Sequence, residues 1–365
     1  MKVVSIVGAR PQFIKAASLS RAIRERHTEV LVHTGQHYDR AMSDVFFEEF
    51  GIPAPDVNLG IGSGSHGWQT AEMLGPIEDV IQAETPDWVL VYGDTNTTLA
   101  GALAAAKLGV PVAHVEAGLR SFNRTMPEEI NRVVVDHLSS LLFCPTSTAV
   151  ANLAAEGVTC GVEIVGDVML DTARFFAEAH SAEGNMGRGV LSEFGVEPGD
   201  YFLATVHRAG NSDDPAKLTA IVRAFGSAGK PVVWAVHPRT ARNLAAFGLE
   251  ELVREQGASI IAVDPVSYGT TVALLRDAAA LLTDSGGMQK EAYFLSVPCV
   301  TLRDETEWVE TVELGWNVLT GADTARIVAA AAAPPRGSTH PDVYGDGHAA
   351  AKIVASLESH AGTRP

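Results

Sequence analysis

Short runs of Val, Ile and Leu alternate in this chain with segments long enough to form helices, and this alternation strongly constrains the fold. Strands that are apolar on both faces and separated by helix-length segments predict parallel βαβ units, with helices covering both faces of a sheet. The predicted strands are 3–7, 30–33, 88–92, 112–115, 141–144, 163–165, 202–206, 232–236, 259–263, 281–283, 299–302 and 317–319. The predicted helices include 11–26, 97–108, 127–139 and 347–357.

A polar, glycine-rich stretch at 181–187 interrupts the alternation and predicts a linker at about residues 180–190. The length of 365 residues fits two domains of ordinary size. We therefore predict an α/β protein of two Rossmann-like, doubly wound domains, 1–180 and 188–345, which face each other across a cleft. The last segment, 346–365, is predicted to contain a final helix.

The charge balance argues against two classes of partner. Asp and Glu number 44 against 27 Lys and Arg, a formal net charge of −17 that repels nucleic acid and anionic membrane surfaces. No apolar run approaches the ~20 residues of a membrane-spanning helix, and residues 1–7 resemble a first strand more than a signal peptide. The three cysteines, Cys144, Cys160 and Cys299, have no C-x-x-C spacing, which argues against a disulfide framework and a Cys zinc site. A soluble cytoplasmic protein is expected.

Ligands of open parallel sheets bind at the carboxyl ends of strands, so the residues after each predicted strand are the candidate site residues. The first strand ends in Gly8-Ala9-Arg10-Pro11, and Lys15 follows about one helical turn later. Gly8 permits a tight turn, and Arg10 offers a planar cation. The G-x-G-x-x-G dinucleotide fingerprint is missing from this turn, so NAD is not indicated.

Two further strands of the first domain end in carboxylates, Asp94 and Glu116. A carboxylate at the end of an apolar strand is partly desolvated, which favours proton transfer near neutral pH. Asp94 could instead cap the helix that follows it. Glu128 and Glu129 open the helix that begins at Pro127, where acidic residues also suit the helix dipole. These adjacent glutamates point in different directions, so at most one faces a given site.

The second domain places cations and a glycine-rich turn at its strand ends. His207-Arg208 and His237-Pro238-Arg239 follow two strands, and Ser285-Gly286-Gly287 opens a helix after a third. A helix N-terminus with bare backbone N–H groups is a ready anion site. The histidines stand beside arginines without metal-ligand spacing, so no metal is expected. The layout predicts a diphosphate held by the second domain and proton chemistry in the first.

Together these motifs resemble the non-hydrolysing UDP-N-acetylglucosamine 2-epimerases. The resemblance spans nearly the whole chain and is carried by Gly8-Ala9-Arg10-Pro11 with Lys15, Gln36-His37, Gly93-Asp94-Thr95, 114–120, 127–132, His207-Arg208, Asp284-Ser285-Gly286-Gly287 and Tyr344-Gly345-Asp346-Gly347. It implies a glycosyltransferase-B-like pair of Rossmann-type domains, with the final helix, 346–365, crossing back to the first. It also implies a homodimer, a UDP-sugar as substrate, and neither a redox cofactor nor a metal.

The resemblance implies elimination of UDP from the substrate to give a 2-acetamidoglucal, followed by re-addition of UDP with inversion at C2. Transferred residue by residue, the acid/base carboxylates are Asp94, Glu116 and Glu128, and the catalytic histidine is His207. The substrate or UDP contacts are Arg10, Lys15, Arg208, Ser285, Gly286, Gly287 and Glu291.

Two departures from the family pattern bear on substrate and control. Trp308 stands where the family commonly has an arginine that meets the ligand. Trp at this position resembles a subgroup that epimerises UDP-2,3-diacetamido-glucuronic acid, which leaves two substrates open. Many bacterial members are activated by their own substrate through a Gln and an Arg, and Val45 and Glu72 occupy those positions here. We therefore expect this activation to be missing.

Three other functions compete with this interpretation. A nucleotide-sugar glycosyltransferase can share the same fold, but it usually needs one general base and an acceptor cleft. A hydrolysing epimerase would usually bring a kinase domain, for which 365 residues leave no room. A non-catalytic nucleotide-sugar sensor would have no use for three carboxylates at the strand and helix ends of one domain.

Overall fold

A computed structural model describes residues 1–35, 52–182 and 186–361 of the chain. The chain forms two compact units, which we call the first unit, Met1–Thr172 with Asp342–Pro365, and the second unit, Ala173–Pro341. Gln36, His37 and Val45 lie outside the described residues. Among the described residues, no helix is long and apolar enough to cross a membrane.

The first unit is built on a parallel sheet with the strand order β3-β2-β1-β4-β5-β6-β7. Its described strands are β1 Lys2–Val7, β2 Thr28–His33, β3 Val57–Asn58, β4 Trp88–Tyr92, β5 Val112–Val115, β6 Leu141–Cys144 and β7 Val162–Ile164. Its described helices are α1 Arg10–Arg24, α2 His66–Glu84, α3 Asn96–Lys107, α4 Pro127–Leu138, α5 Ser147–Ala155 and α6 Val168–Ala182, the last continuing past Thr172. Central strands such as β1 and β4 are buried on both faces, which accounts for their continuous apolar runs.

The second unit repeats the architecture with the strand order β10-β9-β8-β11-β12-β13, again parallel. Its described strands are β8 Phe202–Thr205, β9 Val232–Ala235, β10 Ile260–Val263, β11 Ala280–Thr283, β12 Cys299–Thr301 and β13 Asn317–Leu319. Its described helices are α7 Met186–Phe194, α8 Ala209–Ser212, α9 Pro215–Gly226, α10 Pro238–Ala246, α11 Glu250–Glu255, α12 Tyr268–Arg276, α13 Gly286–Phe294, α14 Val309–Glu313 and α15 Thr324–Ala332, with a short 3₁₀ turn at Gly257–Ser259.

The last helix, α16 Ala349–His360, belongs to the first unit and packs against α1. Its first backbone N–H groups, those of Ala349 and Ala350, donate to the Asp171 carboxylate at 3.1 and 2.8 Å. Burial nevertheless raises the pKa of Asp171 above its ordinary value. Near the other end, Glu358 Oε1 lies 2.7 Å from His27 Nε2. Both ends of α16 are therefore tied to the first unit.

The α/β fold class predicted from the alternation is confirmed, with strand ends within about two residues of the predicted ones. β3 was not predicted because a strand of two residues, Val57–Asn58, carries no periodicity. The chain divides at Thr172 and Pro341. Of the predicted linker at 180–190, residues 183–185 lie outside the described residues, and α6 continues to Ala182.

Candidate active site

Three neighbouring strands of the first unit bring the predicted site residues of that unit to one edge. β1, β4 and β5 are adjacent in the sheet, and Gly8, Asp94 and Glu116 follow them within two residues. Because all three strands are parallel, their carboxyl ends lie on the same side. The register pairs Tyr92 with Val115, so the turns that carry the two carboxylates are close neighbours.

Gly8 is required by a close approach at the end of β1. A Cβ atom at this position would overlap the hydroxyls of Thr34 and Thr97, which lie 2.8 Å apart in a hydrogen bond. Gln12, in the first turn of α1, fixes the same turn, because its Oε1 accepts from the N–H groups of Gly8 and Ala9 at 2.8 and 3.0 Å. Arg10 begins α1, and its side chain lies outside the described part of the structure.

Lys15 and Glu116 form an ion pair, with Nζ in contact with Oε2 and side-chain exposures of 11% and 8%. An ammonium group in contact favours the charged carboxylate, the form that can accept a proton. Glu116 has a φ of 70°, in the left-handed region that non-glycine residues seldom adopt. Such backbone strain is typical of functional sites, where the surroundings hold the residue in place.

Asp94 pairs with Arg132 of α4 through Oδ2 and Nη2, and its side chain remains 29% exposed. Its backbone carbonyl accepts from Asn131 Nδ2 at 2.9 Å. The alternative that Asp94 caps the next helix is wrong, since the N-cap of α3 is Thr95, whose side chain accepts from Thr98 N. The Asp94 carboxylate is therefore available for another role.

The two glutamates at the start of α4 diverge as expected. Glu129 is buried, and its carboxylate accepts from the N–H groups of Ser121 and Phe122 at 2.9 Å and from Arg132 Nη1 at 3.1 Å. Glu128 is exposed and has no hydrogen-bond partner among the described residues. Its spacing of four residues from Arg132 places it on the helix face that meets Asp94.

In the second unit, Asp284 organises the turn after β8. It is fully buried, and its carboxylate accepts from the backbone N–H groups of His207 at 3.0 Å and Arg208 at 3.0 Å and from Asn211 Nδ2 at 3.2 Å. His207 Nδ1 lies 3.5 Å from Asp284 Oδ1, with the side chain 35% exposed. The His237 ring lies 5.6 Å from the His207 ring between centroids. Asp284 thus fixes the backbone beneath an accessible imidazole.

The glycine-rich turn lies at the start of α13, as predicted. Ser285 is the N-cap, and the N–H groups of Gly286 and Gly287 belong to the first helical turn, where no intrahelical acceptor is available. A Cβ built at Gly286 would lie 3.4 Å from Trp308 Nε1 and 3.7 Å from both Arg208 Nη2 and Glu307 Oε2. The turn is therefore bordered by an aromatic ring, a cation and a carboxylate that is itself paired with Arg303. Its backbone N–H groups are suited to an anionic ligand. Glu291, one helical turn later, is largely buried.

Trp308 adjoins charged groups of its own unit. Lys290 Nζ lies 4.1 Å from the centroid of the indole ring, in cation–π geometry. Glu307 is paired with Arg303 at 3.1 Å. Although burial opposes ionisation of Glu307, the hydrogen bond and charge of Arg303 hold its pKa below the ordinary value. The contact of Trp308 with Lys290 could not be predicted from the presence of Trp at this position of the sequence.

Sequence reasoning assigned no role to three groups that hold the candidate residues: Asn131, Arg132 and Asp284. Each stood inside a quoted motif, and the four-residue spacing of Glu128 and Arg132 on a predicted helix was the available signal. Glu72 is an exposed residue of α2. Within the described ranges, no three His, Cys, Asp or Glu side chains are placed to hold a metal ion.

Comparisons of the whole chain with known proteins give one consistent result. The family model described as UDP-N-acetylglucosamine 2-epimerase matches residues 21–358. A "UDP-N-acetylglucosamine 2-epimerase homolog" of Methanococcus maripaludis is 49% identical over 98% of this chain and 100% of its own. A UDP-2,3-diacetamido-2,3-dideoxy-D-glucuronate 2-epimerase of Pseudomonas aeruginosa is 50% identical over 98% and 99%. The crystal structure of Methanocaldococcus jannaschii UDP-GlcNAc 2-epimerase with UDP-GlcNAc and UDP is 43% identical, with a TM-score of 0.88 over 98% and 100%.

Proposed function

The chain belongs to the UDP-N-acetylglucosamine 2-epimerase family of isomerases, and we propose that it inverts C2 of a UDP-2-acetamido sugar, interconverting UDP-GlcNAc and UDP-ManNAc. In the first proposed step a base removes the C2 proton, the C2–H electron pair forms the C1–C2 double bond, and the C1–O bond breaks with its electrons leaving on UDP. In the second step an oxygen of UDP adds back to C1 while an acid protonates the opposite face of C2.

One observation carries the assignment of proton transfer to the first unit. Asp94 and Glu116 follow neighbouring strands, and each contacts its own cation, Arg132 and Lys15 respectively. Inversion requires proton transfer on both faces of C2, which two separately held carboxyl groups can supply. A single general base would explain only one of the two carboxylates. Asp94 and Glu116 are therefore the proposed acid/base pair.

Glu128 is proposed as a third participant in proton transfer. Its exposed carboxylate shares a helix face with Asn131 and Arg132, both of which bind Asp94. From this position Glu128 can exchange protons with solvent or substrate. Its neighbour Glu129 is excluded from such a role because its carboxylate is buried and occupied by backbone N–H groups and Arg132.

The leaving diphosphate is assigned to the second unit. The N–H groups at the start of α13 and the Arg208 guanidinium near Gly286 are donors for phosphate oxygens. His207 is the proposed donor that stabilises the charge growing on UDP as the C1–O bond breaks. Glu291 is proposed to accept hydrogen bonds from the ribose hydroxyls, and Arg10 and Lys15 to contact the substrate.

A second substrate is favoured by a specific observation. Trp308 stands where the family commonly has an arginine, and the 50% identical relative from Pseudomonas aeruginosa carries the name of an epimerase of UDP-2,3-diacetamido-glucuronate. The same elimination and re-addition would apply to that sugar, since the reacting atoms are again C1 and C2. UDP-2,3-diacetamido-glucuronic acid is therefore the alternative substrate of the proposed reaction.

The proposal is tested by incubating the purified protein in D₂O with UDP-GlcNAc and, separately, with UDP-2,3-diacetamido-glucuronic acid. Proton NMR follows the H2 signal. The expected result is loss of H2 to deuterium in both epimers of one substrate, with no addition of NAD or metal. Inhibition by EDTA or a strict requirement for NAD would overturn the mechanism. Release of free sugar or transfer to an added acceptor would instead identify a hydrolase or a transferase.

The homodimer and the cytoplasmic location implied by the sequence stay predictions. The expected absence of activation by substrate also stays a prediction, since Val45 lies outside the described residues. A plot of initial rate against UDP-GlcNAc concentration checks the last of these, with a hyperbolic curve expected in place of a sigmoidal one.

A further inference from the structure

A buried side-chain network connects the two proposed acid/base turns, and the proposed reaction does not use it directly. Its centre is His114, a fully buried residue of β5 two positions before Glu116. His114 Nε2 lies 2.7 Å from the Gly93 carbonyl oxygen, and Nδ1 lies 2.7 Å from Asp136 Oδ1. Gly93 is the residue immediately before Asp94. The His114 imidazole thus contacts the turn that carries Asp94, and His114 itself belongs to the strand that precedes Glu116.

Nε2 of His114 acts as a donor, because a carbonyl oxygen only accepts and Nε2 must therefore carry a hydrogen. Asp136 also accepts from Arg120 Nη1 at 2.7 Å and from Gly118 N at 3.2 Å, as expected for an ionised carboxylate. Although burial opposes that ionisation, the hydrogen bonds and charges of His114 and Arg120 hold the pKa of Asp136 below its ordinary value. The His114 imidazole is therefore held at both ring nitrogens, by the Gly93 carbonyl oxygen and by the Asp136 carboxylate.

Asp136 binds the chain on both sides of Glu116. Its carboxylate contacts the His114 ring before Glu116 and the Gly118 N–H after it. Arg120, which also binds Asp136, is fastened by two hydrogen bonds of 2.7 Å to Glu156. Asp136 lies on α4, the helix whose Asn131 and Arg132 bind Asp94. The same helix therefore carries groups that locate both carboxylates.

The backbone at Glu116 needs such support. Glu116, a non-glycine residue, has a φ of 70°. Non-glycine residues in this region keep their conformation only where the surroundings hold it. A buried ion pair often adds little net stability compared with apolar side chains of the same size. Here the buried ion pair of Asp136 contributes by fixing the positions of the Asp94 and Glu116 turns.

We propose that His114, held by Asp136, is a positioning residue for proton transfer: its Nε2–H fixes the Gly93 carbonyl and so the Asp94 turn, while the shared Asp136 fixes the loop on both sides of Glu116. His114 does not touch the substrate in this proposal. The inference rests on the proposed function, because positioning matters only if Asp94 and Glu116 transfer protons.

Two substitutions of His114 separate its two hydrogen bonds. The longer Gln side chain can place an N–H near the position of Nε2 and keep the bond to Gly93, whereas Asn reaches only toward Asp136. We expect His114→Asn to lower kcat by about 10²-fold, the scale of a misplacement of about 1 Å, with KM and UDP affinity unchanged. His114→Gln is expected to restore most of this loss. The control is His137→Asn, because His137 is an exposed histidine next to Asp136 whose Nδ1 lies 2.8 Å from the Val133 carbonyl oxygen of its own helix.

A double variant tests whether His114 acts through Asp94. In the Asp94→Asn background, the further change His114→Asn is expected to cost little more, since the group being positioned no longer transfers protons. A purely structural role predicts that the two losses multiply. Equal losses in His114→Asn and His114→Gln, or a fall in UDP affinity that matches the fall in kcat, would overturn the proposal.

The same data distinguish failure of this inference from failure of the proposed function. If Asp94→Asn keeps wild-type kcat, the acid/base assignment is wrong. If Asp94→Asn is inactive and His114→Asn is fully active, only the positioning role is wrong. Should His114→Asn fail to fold, Asp136→Asn replaces it, because this change keeps the size of the side chain and removes the carboxylate that holds His114. A wild-type kcat in Asp136→Asn would then count against the proposal.

Discussion

The two units hold their functional groups by different means. In the first unit, side chains from distant parts of the sequence pair with each other: Lys15 with Glu116, 101 positions apart, and Arg132 with Asp94, 38 positions apart. In the second unit, one buried carboxylate, Asp284, binds the backbone beneath His207 and Arg208. The first arrangement places carboxylates that can exchange protons, and the second places hydrogen-bond donors.

Because the two units hold these groups differently, different substitutions should impair each of them. Substitution of a carboxylate in the first unit deletes a reacting group outright. The N–H groups at the start of α13 cannot be deleted by changing a side chain, so the sensitivity of the second unit concentrates in His207 and Asp284. Substitutions in the first unit should therefore lower turnover, and those in the second unit should divide between turnover and UDP affinity.

The largest expected effect comes from Asp94→Asn and Glu116→Gln. Each change keeps size and hydrogen bonding but removes proton transfer, so kcat should fall by about 10²–10⁴-fold while UDP affinity changes little. Steady-state kinetics and calorimetric titration with UDP measure the two quantities. Asp200→Asn, an exposed residue of the second unit, is the control. If both variants keep near wild-type kcat, the assignment of Asp94 and Glu116 as the acid/base pair is wrong.

The next effect is that of His207→Ala. A preorganised donor beside the leaving diphosphate acts more on the transition state than on the ground state, so kcat should fall by more than KM rises. The expected loss is roughly 2–4 kcal/mol in the activation free energy. Weakened UDP binding with kcat preserved would indicate a ground-state contact instead. A lower Tm with intact kinetics would indicate a structural role.

Asp284→Asn should affect UDP affinity through the backbone. An amide oxygen in place of Oδ2 still accepts from His207 N, Arg208 N and Asn211, but the amide NH₂ then replaces Oδ1, and the 3.0 Å bond from His207 N to Oδ1 is lost. A hydrogen bond to a charged group contributes about 1.5–3 kcal/mol, and we expect Kd for UDP to rise by about tenfold if half of that reaches the ligand. Unchanged UDP affinity in a folded variant would show that Asp284 does not organise this site.

The smallest effect concerns the acid stability of the first unit. The pKa of Asp136 is lowered in the folded state, so its contribution to the free energy of unfolding is present above the unfolded value of about 3.9 and is lost as pH falls through the folded value. Wild type should thus exceed Asp136→Asn in Tm by a few degrees at pH 7, and the difference should shrink below about pH 4. Calorimetric scans across this range measure it. A constant difference would refute the linkage.

The sequence alone was sufficient to predict the fold class and every described strand except β3. Strands β4, β5 and β6 have the predicted ends, because a strand buried on both faces needs a continuous apolar run that is readable locally. The turn at Gly8 and the glycine-rich start of α13 were predictable for the same reason, since glycine and a helix N-terminus are local features. The order of motifs along the chain then sufficed to identify the family.

The contacts that hold the candidate residues in place depend on the tertiary structure. Local patterns did not distinguish Asp94 from Thr95 as the cap of α3, and they did not reveal the ion pair of Glu116 with Lys15 or the bond of His114 to Asp136. Helical and strand periodicities relate residues two to four positions apart, whereas these contacts join residues 22 to 101 positions apart. Strand order and register bring them together, and both follow from packing of the whole unit.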